Sequence, residues 1–162
     1  GTIDDLKAME YELCEYLGFD KPTEKTYYEW QQHFSYDGEL KAEHENAMFD
    51  KFGSTMITDF PEFTSPFWNM SRYEEGDTSK KIDVILGGME TIGSAERSTN
   101  VEQMRDTFHT ITDGAYANLL FDLFGKERVV AELEEFLKFD FFPRVGGGIG
   151  MTRMIAALDK ND

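Results

Sequence analysis

The feature that most constrains the fold is a pair of short apolar runs separated by only two glycines. Residues 82–86 and 89–92 flank Gly87 and Gly88. Two glycines between such runs are typical of a tight β-hairpin, because both central residues of the favoured turn adopt positive φ. We therefore predict a hairpin in which Ile85 lies opposite Glu90 and Leu86 lies opposite Met89.

Helical patterns surround this hairpin. Apolar residues at spacings of three and four predict a first helix, with Gly18 as its stop, from the stripe Ile3, Leu6, Met9, Leu13 and Leu17. Similar stripes and capping residues predict further helices over residues 26–34, 39–52, 100–111, 115–124, 127–137 and 151–158. Residues 55–60 and 67–73 are predicted strands, 74–81 an exposed connection, and 146–150 a glycine-rich loop. Hairpin strands with segregated helices indicate an α+β domain with an antiparallel β-sheet flanked by helices.

Composition limits the classes of function. The chain has 162 residues, which suits one domain, and carries 16 Lys and Arg against 32 Asp and Glu, a net charge of −16. That charge repels phosphate backbones, so bulk electrostatics does not favour nucleic-acid binding, although a local basic site stays open. Cys14 is the only cysteine, so no intrachain disulfide forms. No apolar run is long enough to cross a membrane, and we expect a cytoplasmic protein without a membrane partner.

The predicted hairpin brings two carboxylates together. Asp83 is two residues from Ile85 and therefore shares a face with Glu90, as a diagonal neighbour about 7–8 Å away. Two acids at that separation suit Mg²⁺, and Mg²⁺ suits a nucleoside triphosphate. Arg97 follows Glu90 by seven residues, and a bulge at Gly93–Ser94 would return it to the same face. The alternative interpretation of these three residues is a solvated sheet surface.

The glycine-rich segment offers a second candidate site. Residues 146–150 precede a helix, where free backbone N–H groups and a close backbone approach favour phosphate, and Arg153 in the first turn adds a positive charge. A tight turn with no ligand is the alternative for this segment taken alone.

Order and spacing together resemble one known family. Asp83, Glu90 and Arg97 at steps of seven, followed by the segment from Gly146 to Arg153 at a helix start, resemble the second half of the class II aminoacyl-tRNA synthetase catalytic domain, in its aspartate, asparagine and lysine subclass. Earlier segments occur in the family's order: Thr26-Tyr27, Glu43-His44-Glu45, Thr58-Asp59-Phe60-Pro61 and Pro66-Phe67-Trp68. The resemblance covers nearly the whole chain, and the glycine-rich segment ending in Arg153 is its most specific part.

The resemblance implies a role for each matching residue. Asp83 and Glu90 match the acids that hold Mg²⁺ and ATP, Gly148 and Gly150 lie at the nucleotide, and Arg153 matches the catalytic arginine that contacts the γ-phosphate. Arg97 matches the position that reads the amino-acid side chain. A guanidinium pairs with a carboxylate or an amide oxygen and repels an ammonium, so aspartate or asparagine is favoured over lysine. The implied reaction is ATP-dependent formation of an aminoacyl-adenylate.

The resemblance also indicates what the matched region leaves out. Residues 1–162 correspond to the C-terminal part of the catalytic domain, and we find neither the family's first motif, which forms its dimer interface, nor its second, which contacts the α-phosphate. We therefore expect an exposed sheet edge and no activity from these residues alone. A homodimer and tRNA are expected partners of a full-length enzyme.

Two alternatives to tRNA charging stay open. Glu96-Arg97 and Pro66-Phe67-Trp68 are more similar to archaeal asparagine synthetases that use aspartate, ATP and ammonia without tRNA. Arg144 stands where many synthetases have histidine. Gly93 replaces a serine that binds metal in some family members. The third possibility is a non-catalytic interaction domain.

Overall fold

A computed structural model describes residues 1–162 and contains one five-stranded sheet. The strands lie across the sheet in chain order: β1 (Thr23–Thr26), β2 (Thr55–Pro61), β3 (Thr78–Leu86), β4 (Met89–Arg97) and β5 (Arg144–Ile149). All neighbouring pairs are antiparallel except β1 with β2, which is parallel. The predicted α+β class is confirmed, with a mixed sheet. β1 was not predicted, because its sequence is short and polar.

Seven helices flank the sheet. They are α1 (Ile3–Tyr16), α2 (Tyr27–Phe34), α3 (Ala42–Phe52), α4 (Val101–Thr110), α5 (Ala115–Phe124), α6 (Lys126–Phe136) and α7 (Met151–Asn161). Thr26 caps α2 by accepting a hydrogen bond from the Glu29 backbone, and Asn100 caps α4 in the same way through Gln103. Helix α3 begins at Ala42, three residues later than predicted.

The central hairpin has the predicted register. Ile85 pairs with Glu90 and Leu86 with Met89, and both turn glycines have positive φ. The ladder then shifts, because Val84 pairs with Ile92 and Thr91 is the extra residue of a bulge. The bulge that returns Arg97 to the face of Asp83 is therefore at Thr91, two residues before the predicted Gly93–Ser94.

The two faces of the sheet have different cores. Met56, Ile82, Val84, Leu86 and Ile92 face α1 and α7 in the larger apolar cluster. Ile57, Phe60 and Ile85 pack on the opposite face with residues of α2 and α3. Helices α4 to α6 bury a third, separate cluster that includes Met104, Phe108 and Leu133.

Helix α1 is rotated from its predicted orientation. Met9 is 55% exposed, whereas Glu10 and Cys14 are buried with Ile3 and Leu6. The rotation places the Glu10 carboxylate against the Ser94 hydroxyl, which donates a hydrogen bond to Oε1. The other Glu10 oxygen has no partner. Burial raises the pKa of Glu10 to about 7.

The predicted strand over residues 67–73 is wrong. This segment forms no continuous ladder with the sheet: Met70 and Arg72 make isolated bridges, and Ser71 exchanges single backbone hydrogen bonds with β3 and β4. Its backbone curls around the Arg72 guanidinium, which donates hydrogen bonds of 2.7–2.8 Å to the carbonyl oxygens of Pro66, Phe67 and Met70. Carbonyl groups turned toward one side chain are not available for a sheet ladder.

Two other predicted boundaries need correction. Residues 74–81 are not a wholly exposed connection, because β3 begins at Thr78 and Ser79 is fully buried. Residues 146–150 are not a loop, because Gly146 to Ile149 belong to β5 and pair with β4. Only Gly150 separates that strand from α7.

No helix of the protein is long and apolar enough to span a lipid bilayer.

The buried Glu10 carboxyl predicts a pH dependence of stability. Its folded pKa of about 7 lies above the ordinary value of 4.5, so the folded state holds its proton more tightly than the unfolded state. The stability that this group contributes is therefore complete below pH 4.5 and is lost as the pH rises toward 7. Glu10→Gln, which cannot ionise, should gain up to about 3 kcal/mol relative to wild type across that interval. Urea denaturation at each pH measures this difference.

Exposed Glu12 on the same helix supplies the control. Glu12→Gln should follow the wild-type pH profile. Parallel profiles for Glu10→Gln and wild type would contradict the buried-carboxyl explanation.

Candidate active site

Two carboxylates converge over a glycine on the face of the sheet opposite α1. The diagonal arrangement of Asp83 and Glu90 follows from the hairpin register, in which Asp83 pairs with Gly93. A β-carbon added to Gly93 would lie 2.8 Å from Glu90 Oε1 and 3.7 Å from Asp83 Oδ1. The missing side chain at Gly93 therefore leaves the space in which both carboxylates lie.

The Asp83 carboxylate is buried, and only one of its two oxygens has a polar partner. Oδ2 lies 3.5 Å from Lys81 Nζ, and the Asp83 side chain is only 8% exposed. Oδ1 is buried with no hydrogen-bond partner. Burial raises the pKa of Asp83 to about 7, the nearby Lys81 ammonium opposes that rise, and Glu90 adds to it. A buried acceptor without a donor, beside a second carboxylate, favours a bound cation, so these residues fit Mg²⁺.

Arg97 lies on the same face, at the far end of β4. Its guanidinium covers Gly146, where an added β-carbon would be 3.3 Å from Nε. Its one side-chain hydrogen bond is long, 3.5 Å from Nη1 to Asn69 Oδ1, and no carboxylate lies within ion-pair distance. Burial lowers the pKa of Arg97, with a further contribution from Arg144. A half-buried guanidinium with free donors can receive a carboxylate or an amide oxygen.

Arg153 extends this row of charged groups beyond the hairpin. Gly150 precedes α7 and anchors its start, because its backbone N–H donates to the Thr91 carbonyl oxygen at 2.8 Å. Arg153 is in the first turn, exposed to solvent, and its Nη1 donates to the Glu90 carbonyl oxygen at 2.8 Å. The structure thus places Arg153 at the residue that carries the second carboxylate.

The glycines of β5 differ in the space around them. Gly146 leaves room for Arg97, and Gly147 packs so closely that an added β-carbon would be 2.6 Å from the Gly93 carbonyl oxygen. Gly148 meets nothing within 4 Å. Gly148 and Gly150 were predicted to lie at a nucleotide, and both are exposed next to the start of α7. The Gly150 N–H, however, already donates to the Thr91 carbonyl oxygen and is not a free donor.

Sequence patterns did not indicate two further residues of this region. Asn69 reaches Arg97 from the loop that Arg72 organises. Glu45, on α3, is close enough to Glu90 and Asp83 to influence the pKa of Asp83. The only signal for Glu45 was its place in the Glu43-His44-Glu45 segment.

Arg144 and Glu96 bind groups outside the candidate site. Arg144 Nη1 donates to the Ser98 carbonyl oxygen at 3.2 Å, and its guanidinium stacks on the Phe141 ring. Glu96 accepts hydrogen bonds from the Ile3 backbone at 2.7 Å and from Lys80 at 3.3 Å. Glu96 therefore fixes the start of α1 on the opposite face.

The sequence of this chain matches one protein family over nearly its whole length. The model of the class II tRNA synthetases of the D, K and N type matches residues 4–162. The chain belongs to this family. Among curated proteins, no sequence matches it.

Solved structures of synthetases share the fold at low sequence identity. Asparaginyl-tRNA synthetase from Pyrococcus horikoshii superposes with a TM-score of 0.74 at 15% identity, covering 100% of this chain and 44% of that one. Aspartyl-tRNA synthetase from Entamoeba histolytica gives 0.62 at 17%, covering 87% and 30%. The Entamoeba histolytica asparaginyl-tRNA synthetase, in complex with asparaginyl-adenylate, gives 0.65 at 16%, covering 98% and 39%. This chain therefore spans less than half the length of these relatives.

The close backbone contact in β5 predicts unequal costs for two neighbouring substitutions. Gly147→Ala should destabilise the protein by about 1–3 kcal/mol, because its new methyl group would overlap the Gly93 carbonyl and Ser94. Gly148→Ala, with open space around it, should change stability by no more than about 0.5 kcal/mol. Urea denaturation of both variants measures the difference, and equal costs would contradict the close packing of β4 against β5.

Proposed function

We propose that this chain forms the part of a class II activating site that holds ATP and reads aspartate or asparagine. One observation carries the proposal: Asp83, Glu90 and Arg97 share one face of the β3–β4 hairpin, with an unpartnered oxygen on Asp83 and free donors on Arg97, and Arg153 reaches the Glu90 carbonyl oxygen from the start of α7. Anion receptors thus flank a cation-binding pair of acids, as a nucleoside triphosphate and an amino acid would require.

Each residue has one task in the proposed reaction. Asp83 and Glu90 would hold Mg²⁺, which neutralises phosphate charge when it is bound. Arg153 leaves the Glu90 carbonyl to pair with the γ-phosphate. Arg97 forms two parallel hydrogen bonds with the side-chain carboxylate or amide oxygen of the substrate, and its charge excludes lysine.

The chemistry needs no protein nucleophile. A substrate α-carboxylate oxygen attacks the α-phosphorus, the bond from that phosphorus to the β-bridging oxygen breaks, and pyrophosphate leaves. The products are an aminoacyl-adenylate and pyrophosphate. The protein contributes by positioning the two substrates and stabilising charge.

We propose tRNA as the acceptor of the acyl group in a full-length, homodimeric enzyme. Membership of the family and the fold shared with asparaginyl- and aspartyl-tRNA synthetases support this choice. The second candidate is transfer to ammonia, giving asparagine, and the Pro66-Phe67-Trp68 segment, which is similar to that of archaeal asparagine synthetases, supports it. Glu96 gives that candidate no support, since its carboxylate binds the start of α1. Aminoacylation assays of a full-length gene product with tRNA, against asparagine formation with ammonia, separate the two.

Calorimetric titration with Mg²⁺ and ATP tests the acidic pair. Wild type should bind, and an Asp83→Ala/Glu90→Ala double variant should lose at least about tenfold in affinity. Removing even one residue that supports a metal ligand weakens metal binding by about 10–100-fold, and this variant removes both proposed ligands. A variant with the same number of charges removed elsewhere, Glu12→Ala/Glu15→Ala on the exposed side of α1, should bind as wild type does. Equal binding by all three proteins would overturn the nucleotide site.

Arg97 is tested separately through the substrate side chain. Arg97→Lys keeps the charge but loses the two-pronged geometry, so affinity for a non-hydrolysable aspartyl- or asparaginyl-adenylate analogue should fall about tenfold or more. Affinity for Mg²⁺ and ATP alone should stay the same. A loss of both affinities together would point to a folding role for Arg97.

We expect the 162 residues by themselves to form no adenylate, since they span less than half of the solved relatives. Pyrophosphate exchange into ATP, dependent on aspartate or asparagine, measures this step. Exchange by the purified chain would show that the activating site is complete within it.

A further inference from the structure

A third carboxylate lies beside the Asp83 and Glu90 pair. Glu45 is in the first turn of α3 and is half-buried, whereas Glu43 in the same turn is exposed. Burial raises the pKa of Glu45, and the Glu90 carboxylate adds to the rise, while the Glu90 backbone N–H and Arg153 oppose it. Helix α3 lies against the turn of the hairpin, since a β-carbon added to Gly88 would be 3.0 Å from Asn46 Oδ1 and 3.7 Å from Asn46 Cα. This packing brings Glu45, the residue before Asn46, to the second acid of the pair and to the arginine at the start of α7.

The environment of this acidic cluster is short of positive charge. Lys81 reaches only one Asp83 oxygen, at 3.5 Å, and Arg153 is bound to a backbone carbonyl. Asp83 Oδ1, in a side chain that is 8% exposed, has no partner and is directed into the cluster, toward the space above Gly93. A buried oxygen without a donor, with the charges of Glu90 and Glu45 near enough to raise the pKa of its carboxyl, favours a bound cation.

Glu45 is not a direct ligand of such a cation. The protein contains no group of three acidic, histidine or cysteine side chains close enough to ligate one ion. Glu45 therefore acts on a cation at Asp83 and Glu90 through space or through a bridging water.

We propose that Glu45 is a positioning residue of the cation site, whose negative charge strengthens the binding of a divalent cation at Asp83 and Glu90. This inference rests on the proposed function, which assigns the cation to that pair.

The expected size of the effect follows from Coulomb's law. One negative charge within several ångströms of a divalent cation, in a partly solvated site, is worth about tenfold in affinity. An interaction through space weakens as salt screens it, because the Debye length falls from about 10 Å at 0.1 M to about 3 Å at 1 M.

Mn²⁺ alone is a suitable probe, because electron paramagnetic resonance counts the free ion without nucleotide or turnover. The proteins compared are wild type, Glu45→Gln, Asp83→Asn and the matched control Glu43→Gln, which removes an equal charge from the same helical turn. Circular dichroism establishes that each is folded. We expect Glu45→Gln to bind Mn²⁺ about tenfold more weakly at low salt, with the difference shrinking at high salt, and Glu43→Gln to bind as wild type does.

Three results would overturn the inference, and they differ in whether the proposed nucleotide site is also rejected. Unchanged Mn²⁺ affinity in Glu45→Gln, with binding lost in Asp83→Asn, would reject the role of Glu45 and leave the proposed nucleotide site intact. Equal affinity in wild type and Asp83→Asn, or no binding by wild type, would reject both. Equal weakening by Glu43→Gln and Glu45→Gln would mean that helix α3 acts through its overall charge, which also rejects a specific role for Glu45.

Discussion

The close approach of two backbone segments is the contact on which the site depends. Gly147 of β5 lies so near the Gly93 carbonyl of β4 that any side chain would overlap it. This contact fixes the register of the last strand, and through Gly150 it fixes where α7 begins and where Arg153 lies. It also holds Gly146 beneath the Arg97 guanidinium. Packing between main-chain atoms thus positions two of the four charged groups that the proposed chemistry uses.

Buried carboxyls on both faces of the sheet show that a raised pKa does not by itself mark a site. Burial raises the pKa values of Glu10 and Asp83 alike, to about 7. Glu10, however, is enclosed by apolar residues and receives a hydroxyl hydrogen bond from Ser94, so it serves to dock α1. Asp83 adjoins a second carboxylate and only one ammonium group, that of Lys81. The difference in neighbours, rather than in titration, separates a structural acid from a candidate functional one.

Local sequence rules predicted the parts of the site that depend on neighbours in the chain. A two-residue glycine turn sets the hairpin register, so the shared face of Asp83 and Glu90 followed from counting residues. The return of Arg97 to that face was also predicted, but the bulge responsible is at Thr91, where no glycine marks it. Arg153 was predicted from its place in the first turn of a helix.

Other parts depend on distant contacts and left no local pattern. The alternating residues 67–73 form a loop because Arg72 binds three of the loop's carbonyl groups, and that loop brings Asn69 to Arg97. Glu45 reaches the hairpin only because α3 packs against it. The residues of β1 have a polar, strand-poor sequence, and the strand exists through its pairing with β2.

Alternate residues of strand β4 contact helix α1 on one face and the candidate site on the other. Ser94 and Glu96 hold α1 on one face, whereas Gly93 and Arg97 border the candidate site on the other. Inserting or deleting a single residue between them would exchange the two sets, placing Arg97 against α1 and Glu96 beside the acidic pair. The length of this strand is therefore tightly constrained, because one added or lost residue would exchange the side chains on its two faces.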